Sequence, residues 1–233
     1  MITLAFDVYG TLIDTQGVVE ALREVVGEQA DELARAWREK QLEYSFRRGL
    51  MQYYVDFATC TAQALDYCCQ ARGISLSSAD RQALLDGYGT LPAFEDVPEA
   101  LCSLETAGVR LFAFSNGTRE AVEGLLGHAG IRQHFLDVVS VDELRSFKPN
   151  PAVYCHFLRR AGATGEASWL ISGNPFDVIG ARAAGMHAAW VRRGAAVFDP
   201  WGIEPDLTVG DLGELADYLS GIDHSRQPPS KGK

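Results

Sequence analysis

Residues 4 to 14 read Leu-Ala-Phe-Asp-Val-Tyr-Gly-Thr-Leu-Ile-Asp, and no other stretch constrains the fold of this chain as strongly. The apolar run from Ile2 to Phe6 is short enough for a buried strand. It stops at Asp7, and Gly10 breaks the chain three residues later. A carboxylate is thereby expected at the carboxyl end of a parallel strand, where open α/β sheets take their ligands. A carboxylate in that position can serve as a covalent nucleophile. Taken alone, the same residues also fit a structural turn.

Three further apolar runs end in polar residues. Leu111 to Phe114 leads to Ser115-Asn116-Gly117, a hydroxyl followed by backbone N–H groups ahead of a helix. That arrangement suits a carboxylate or a phosphate equally, or a plain turn with a helix cap. Lys148, in Phe147-Lys148-Pro149, can pair with Asp7 and hold it ionised, although most lysines are solvated surface charges. Leu170-Ile171 delivers Ser172, Asn174 and Asp177 to the same rim. Asp177 is a candidate base for a hydrolytic water, or the N-cap of the next helix.

Strands are expected at Val109 to Phe114, Val138 to Val141, Trp169 to Ser172 and Ala188 to Val191. Helices are expected between them, at Val97 to Ala107, Arg119 to Ala129, Pro151 to Ala161 and Asp177 to Ala184. The alternation argues for a parallel sheet with helices on both faces. Val18 to Val26, Ala30 to Arg48, Met51 to Gly73 and Ser78 to Tyr88 carry helical periodicity and little strand signal. The organisation read from this is α/β: a Rossmann-like core over 1–14 and 91–223, an all-helical cap over 15–90, and a disordered tail over 224–233.

The four motifs in the order Asp, Ser, Lys, Asp, with helices inserted after the first, resemble the haloacid dehalogenase superfamily. The usual second Asp of its first motif is Tyr9 here. In the superfamily's phosphatases that Asp protonates the leaving group, a task for which a phenol of pKa near 10 is poorly suited. Tyr9 is otherwise a buried aromatic with a satisfied hydroxyl. The Asp-x-Tyr-Gly-Thr-Leu opening, the segment Trp37 to Ser45, Phe57, Ser115-Asn116-Gly117 and Phe147-Lys148-Pro149 are similar to the L-2-haloacid dehalogenase (type II) group. Two positions depart from its last motif: Gly173 replaces a Ser, and Phe176 stands where Trp is common.

The resemblance implies a mechanism and a set of roles. Asp7 displaces halide from C2 in line, leaving an aspartyl ester. The substrate carboxylate rests on Ser115 and on the N–H groups of Val8, Tyr9 and Asn116. Arg38 and Asn116 stabilise the departing halide. Tyr9, Leu42, Phe57 and Phe176 form a dry wall. Water then attacks the ester with Asp177 as base, aided by Asn174, while Lys148 and Ser172 order the carboxylates. Thr11 and Tyr154 orient their neighbours, Tyr154 at the edge of the substrate site. Read without the resemblance, Arg38 is a surface charge paired with Glu39 or Asp31, and Leu42 and Phe57 are apolar packing. No metal and no cofactor are expected.

Composition narrows the remaining classes. A formal net charge of −10 argues against a nucleic-acid partner. No apolar run approaches the roughly 18 residues of a membrane span, and no secretory signal is visible. Five cysteines without a Cys-x-x-Cys pair fit a reducing cytoplasm. The expected partners are a small haloacid and, through apolar residues in 50–70 including Tyr53, Tyr54, Val55 and Phe57, a second copy of the chain. Two other readings compete: a Mg-dependent phosphatase of the same fold, and a non-catalytic relative.

Overall fold

The computed structural model describes residues 1–224, and residues 225–233 of the expected tail lie outside the described residues. Six strands form one parallel sheet: β1 (Thr3–Phe6), β2 (Arg110–Ser115), β3 (Asp137–Ser140), β4 (Ser168–Ser172), β5 (His187–Val191) and β6 (Leu207–Val209). Their order is β3-β2-β1-β4-β5-β6. Leu4 pairs with Leu111 of β2 on one side and Trp169 of β4 on the other. The chain builds outward from β1 to β3, then returns to β4 beside β1. The strand order therefore reverses between β1 and β4, which opens a crevice at their carboxyl ends.

Side-chain alternation along each strand divides the core in two. Leu4, Phe6, Leu111 and Ala113 face one side, packed under α5 (Val97–Thr106), α6 (Arg119–His128) and α9 (Leu212–His224). Ala5, Phe112 and Phe114 face the other, under α7 (Pro151–Ala161) and α8 (Pro175–Ala183). Strands buried on both faces read as continuous apolar runs, which is why the first five were visible in the sequence.

Between β1 and α5 lie four helices and no strand: α1 (Gly17–Val26), α2 (Ala30–Met51), α3 (Phe57–Arg72) and α4 (Ser78–Gly87). The helix expected from Met51 onward starts six residues later. Gln52 ends α2 in the left-handed region, and Asp56 caps α3 by accepting from Thr59 N at 2.7 Å. β6 and α9 were not anticipated. Of the expected dimer patch, Phe57 is buried and Tyr54 stacks on Phe147, whereas Leu50, Met51 and Tyr53 are exposed. Among the described residues, no helix is long and apolar enough to cross a membrane.

Candidate active site

Asp7 is the first residue beyond β1. Its N–H donates to Ile171 O of β4 at 2.9 Å, which sets its carboxylate over the crevice. Gly10, at φ +81°, turns the following chain back so that Thr11 Oγ1 donates to Asp7 Oδ2 at 2.8 Å. Asn174 Nδ2 donates to the same oxygen at 2.7 Å, and Ser172 Oγ at 3.4 Å. Oδ2 thus carries three donors. Oδ1 accepts from Lys148 Nζ at 3.1 Å.

The Lys148 ammonium is fully buried and uses its three protons on three acceptors. Besides Asp7, it reaches Asp177 Oδ2 at 2.7 Å and Phe114 O at 2.8 Å. Burial alone pulls a lysine pKa down, but Asp177 and Asp7 outweigh it and hold Lys148 above its ordinary value. Asp177 is pushed up to about 6, chiefly by burial, against the pull of Lys148 and with a push from Asp7. Both shifts run upward because two buried carboxylates share one ammonium, so the cluster resists losing a further proton.

A cavity of about 10 Å³ opens over Asp7, lined also by Tyr9, Arg38, Leu42, Phe57, Ser115, Asn116, Lys148, Asn174 and Phe176. α2 supplies Arg38 and Leu42, and α3 supplies Phe57 as its first residue. Arg38 is not paired with Glu39 or Asp31. Its Nη2 donates to Tyr9 O at 3.3 Å and its Nη1 to Gln41 Oε1 at 2.6 Å, while Asp31 takes Arg23. Asn116 Oδ1 accepts from Lys148 N at 2.9 Å, which leaves the Asn116 amide nitrogen as its free donor. A single cavity therefore gathers a buried carboxylate, a guanidinium and the apolar side chains of Leu42, Phe57 and Phe176.

A family model described as haloacid dehalogenase-like hydrolase matches residues 2–185. This chain belongs to the haloacid dehalogenase-like hydrolases. It is similar to the (S)-2-haloacid dehalogenase of Pseudomonas sp. (strain YL), 36% identical with 90% of each chain covered. Haloacetate dehalogenase H-2 of Moraxella sp. (strain B) is also 36% identical, covering 88% of this chain and 92% of that one. Among solved structures, L-2-haloacid dehalogenase from Xanthobacter autotrophicus with chloropropionic acid covalently bound superposes with a TM-score of 0.88 at 30% identity. That match covers 95% of this chain and all of the other.

Tyr9 packs its ring near Phe57 and Tyr88. Burial, with the neighbouring Tyr88, pushes the Tyr9 phenol up to about 12. It is neutral at ordinary pH and a poor proton donor.

Five expected residues of this hydrolase lie outside the cavity lining. Thr11 and Ser172 sit behind Asp7 as donors. Val8 is fully buried, and its carbonyl accepts from the N–H groups of Thr11, Leu12 and Ile13. Tyr154 lies at the sheet face of α7, where its hydroxyl donates to Asp177 Oδ1 at 2.7 Å, so it touches Asp177 and does not line the cavity. Asp177 sits behind Lys148. It does not cap α8, whose N-cap position is Asn174, and Asn174 turns its amide to Asp7 and Tyr9 O, away from Asp177. The helix after Ser115 is capped by Thr118.

Gly173 has a steric reason. A Cβ there would lie 2.3 Å from Gly10 O, and the Gly173 N–H donates to Thr11 Oγ1 at 2.8 Å. The close approach of these two turns sets the hydroxyl that serves Asp7. One polar residue at the site escaped sequence reasoning. Gln41 is fully buried, and its signal was a polar residue one turn beyond Trp37 on the inward stripe of α2.

Proposed function

We propose that this chain hydrolyses the carbon–halogen bond of short 2-haloacids, such as haloacetates and L-2-haloacids, to 2-hydroxy acids through an aspartyl ester on Asp7. The observation that carries this reading is the convergence of Asp7 and Arg38 on one small cavity beside a neutral Tyr9. The 2-haloacid dehalogenases to which the chain is similar support it.

Asp7 Oδ1 is the attacking atom, because Oδ2 already accepts three hydrogen bonds. Oδ1 bonds to C2, the C2–halogen bond breaks, and the electron pair leaves on the halide. Charge grows on the halogen in the transition state, where Arg38 and the Asn116 amide meet it. Ser115 and the N–H groups of Val8, Tyr9 and Asn116 receive the substrate carboxylate. Tyr9, Leu42, Phe57 and Phe176 keep the site dry, which strengthens each of these attractions.

In the ester, Oδ2 becomes the carbonyl oxygen. Water attacks the ester carbon, and Oδ2 gains charge where Thr11, Asn174 and Ser172 already donate. The donors that ordered the nucleophile then stabilise the oxyanion. Asp177, its pKa near 6, takes the proton of the water, and Lys148 and Tyr154 hold it in place. The bond between the ester carbon and Oδ1 then breaks. Oδ1 leaves as the hydroxyl oxygen of the 2-hydroxy acid with the proton returned from Asp177. The oxygen of the water completes a new Asp7 carboxyl, which loses its remaining proton to solvent.

No metal is needed in this scheme, since Lys148 supplies the positive charge between the two carboxylates. A neutral phenol in place of the second Asp weighs against the phosphatase reading. We further infer a Rossmann-like core over 1–14 and 91–223 with a cap over 15–90. We also infer a cytoplasmic setting for its free cysteines, and a homodimer paired through Leu50, Met51 and Tyr53.

Halide release decides the main point, measured in EDTA with chloroacetate, fluoroacetate and both enantiomers of 2-chloropropionate. Release by the wild type and none by Asp7→Asn is expected. No release, with hydrolysis of a phosphate ester on adding Mg, would replace this reading with the phosphatase one.

A further inference from the structure

The inward stripe of α2 runs Ala30, Leu33, Ala34 and Trp37, then turns polar at Gln41. A buried amide is costly unless its atoms are hydrogen-bonded, and both ends of this one are. Thr61 Oγ1 donates to Phe57 O at 2.9 Å, so its hydroxyl can only accept from Gln41 Nε2. That fixes the flip of the amide and turns Gln41 Oε1 toward Arg38 Nη1, 2.6 Å away. The order from the first turn of α3 to the guanidinium is directional at every step.

The partners of Arg38 share one property. Gln41 Oε1 and Tyr9 O are both neutral acceptors, and no carboxylate pairs with Arg38 among the described residues. Lys148, the other cation of the cavity, is held by two carboxylates. One charge is compensated and the other is left free.

We propose that Gln41 is a positioning residue that aims Arg38 at the leaving halide without neutralising it. This rests on the dehalogenase reading. A glutamate occupies almost the same space and would hold the guanidinium more tightly. It would also cancel much of the field that Arg38 exerts on the halogen, because the carboxylate would sit as close to the guanidinium as the halide does. The amide gives direction and leaves the charge available. When the C2–halogen bond breaks, the full positive charge faces the ion being formed.

The test compares wild type, Gln41→Glu and Thr61→Val in two measurements. The first is kcat for chloroacetate against bromoacetate. Chloride leaves with its charge more concentrated, so Gln41→Glu is expected to lower kcat by about tenfold on chloroacetate, less on bromoacetate, with little change in KM. The second is bromide affinity by titration, which needs no turnover, and the same variant is expected to weaken it. Thr61→Val frees the amide to rotate and is expected to move both readouts the same way by less, so it carries the test if Gln41→Glu does not fold. An unchanged chloride-to-bromide ratio and unchanged bromide affinity in a folded variant overturn the proposal. A uniform loss on both substrates, with bromide affinity intact, also overturns it, since that is what a purely structural role would give. If the wild type releases no halide from any haloacid, the dehalogenase reading fails, and the bromide titration still decides whether Gln41 governs an anion site at Arg38.

Discussion

Lys148 Nζ lies 2.7 Å from Asp177 Oδ2 and 3.1 Å from Asp7 Oδ1, and neither Lys148 nor Asp177 is reached by solvent. One ammonium therefore bridges the proposed nucleophile and the proposed base. The charge state of each depends on the other two: removing Lys148 strands two buried carboxylates, whereas removing either carboxylate leaves a neutral pair.

Lys148→Met removes the bridge and retains the volume. Two buried carboxylates then face each other without a cation, and the loss is expected to cost about 3–5 kcal/mol. Chemical denaturation would read it as a lower midpoint at neutral pH, with the deficit shrinking at low pH where the carboxylates are protonated, and halide release should fall with it. An unchanged midpoint would mean that the cluster is not electrostatically coupled.

Asp177→Asn separates the two halves of the reaction. With the nucleophile intact and the base gone, one halide should be released per active site, and the ester should persist. Mass spectrometry after chloroacetate would find the protein heavier by one carboxymethyl group. Continued turnover would limit Asp177 to holding Lys148, a role that its position behind the ammonium also allows.

The pH dependence follows from the raised pKa of Asp177, about 6 in the folded protein against 3.8 in the ordinary case. Below pH 6 the protonated base cannot take a proton from water, so kcat should fall on the acid side while the initial halide burst survives. Stability runs the other way. The folded protein holds this proton more tightly than the unfolded chain does, so the contribution of Asp177 is fully present below about 4 and is lost as pH rises through about 6. A pH series of denaturation midpoints alongside kcat would separate the two trends.

Gly173→Ser restores the residue usual in the L-2-haloacid dehalogenase motif, yet it is expected to harm this chain. Its Cβ meets Gly10 O at 2.3 Å, and one of the two turns must move. Overpacking of this kind costs about 1–3 kcal/mol, or about 2–4 °C in melting temperature for each kcal/mol in a chain of this size. Displacement of Thr11 should also slow turnover. A melting temperature at or above the wild type would show that the turns can separate freely.

Much of this was legible in the sequence wherever an apolar strand stopped at a polar residue. The ends of β1, β2 and β4 are buried on both faces, so their boundaries coincide with the change in polarity at Asp7, Ser115 and Ser172. Edge elements gave weaker signals. β6 has three residues, of which only Val209 is buried, and leaves no run to detect. The break between α2 and α3 falls in a segment whose aromatic residues imitate helical spacing. Side-chain partners were less visible still. That Asn174 turns to Asp7 and not to Asp177, and that Tyr154 stands behind Asp177, depends on how β4, α7 and α8 meet. No local pattern encodes that meeting.

The cavity over Asp7 measures about 10 Å³, which is close to the space taken by one water. A haloacid is larger than one water, so its entry requires the side chains that α2 and α3 place over Asp7, namely Arg38, Leu42 and Phe57, to give way. The speed of substrate capture then depends on how often this wall opens, and not on the carboxylate beneath it.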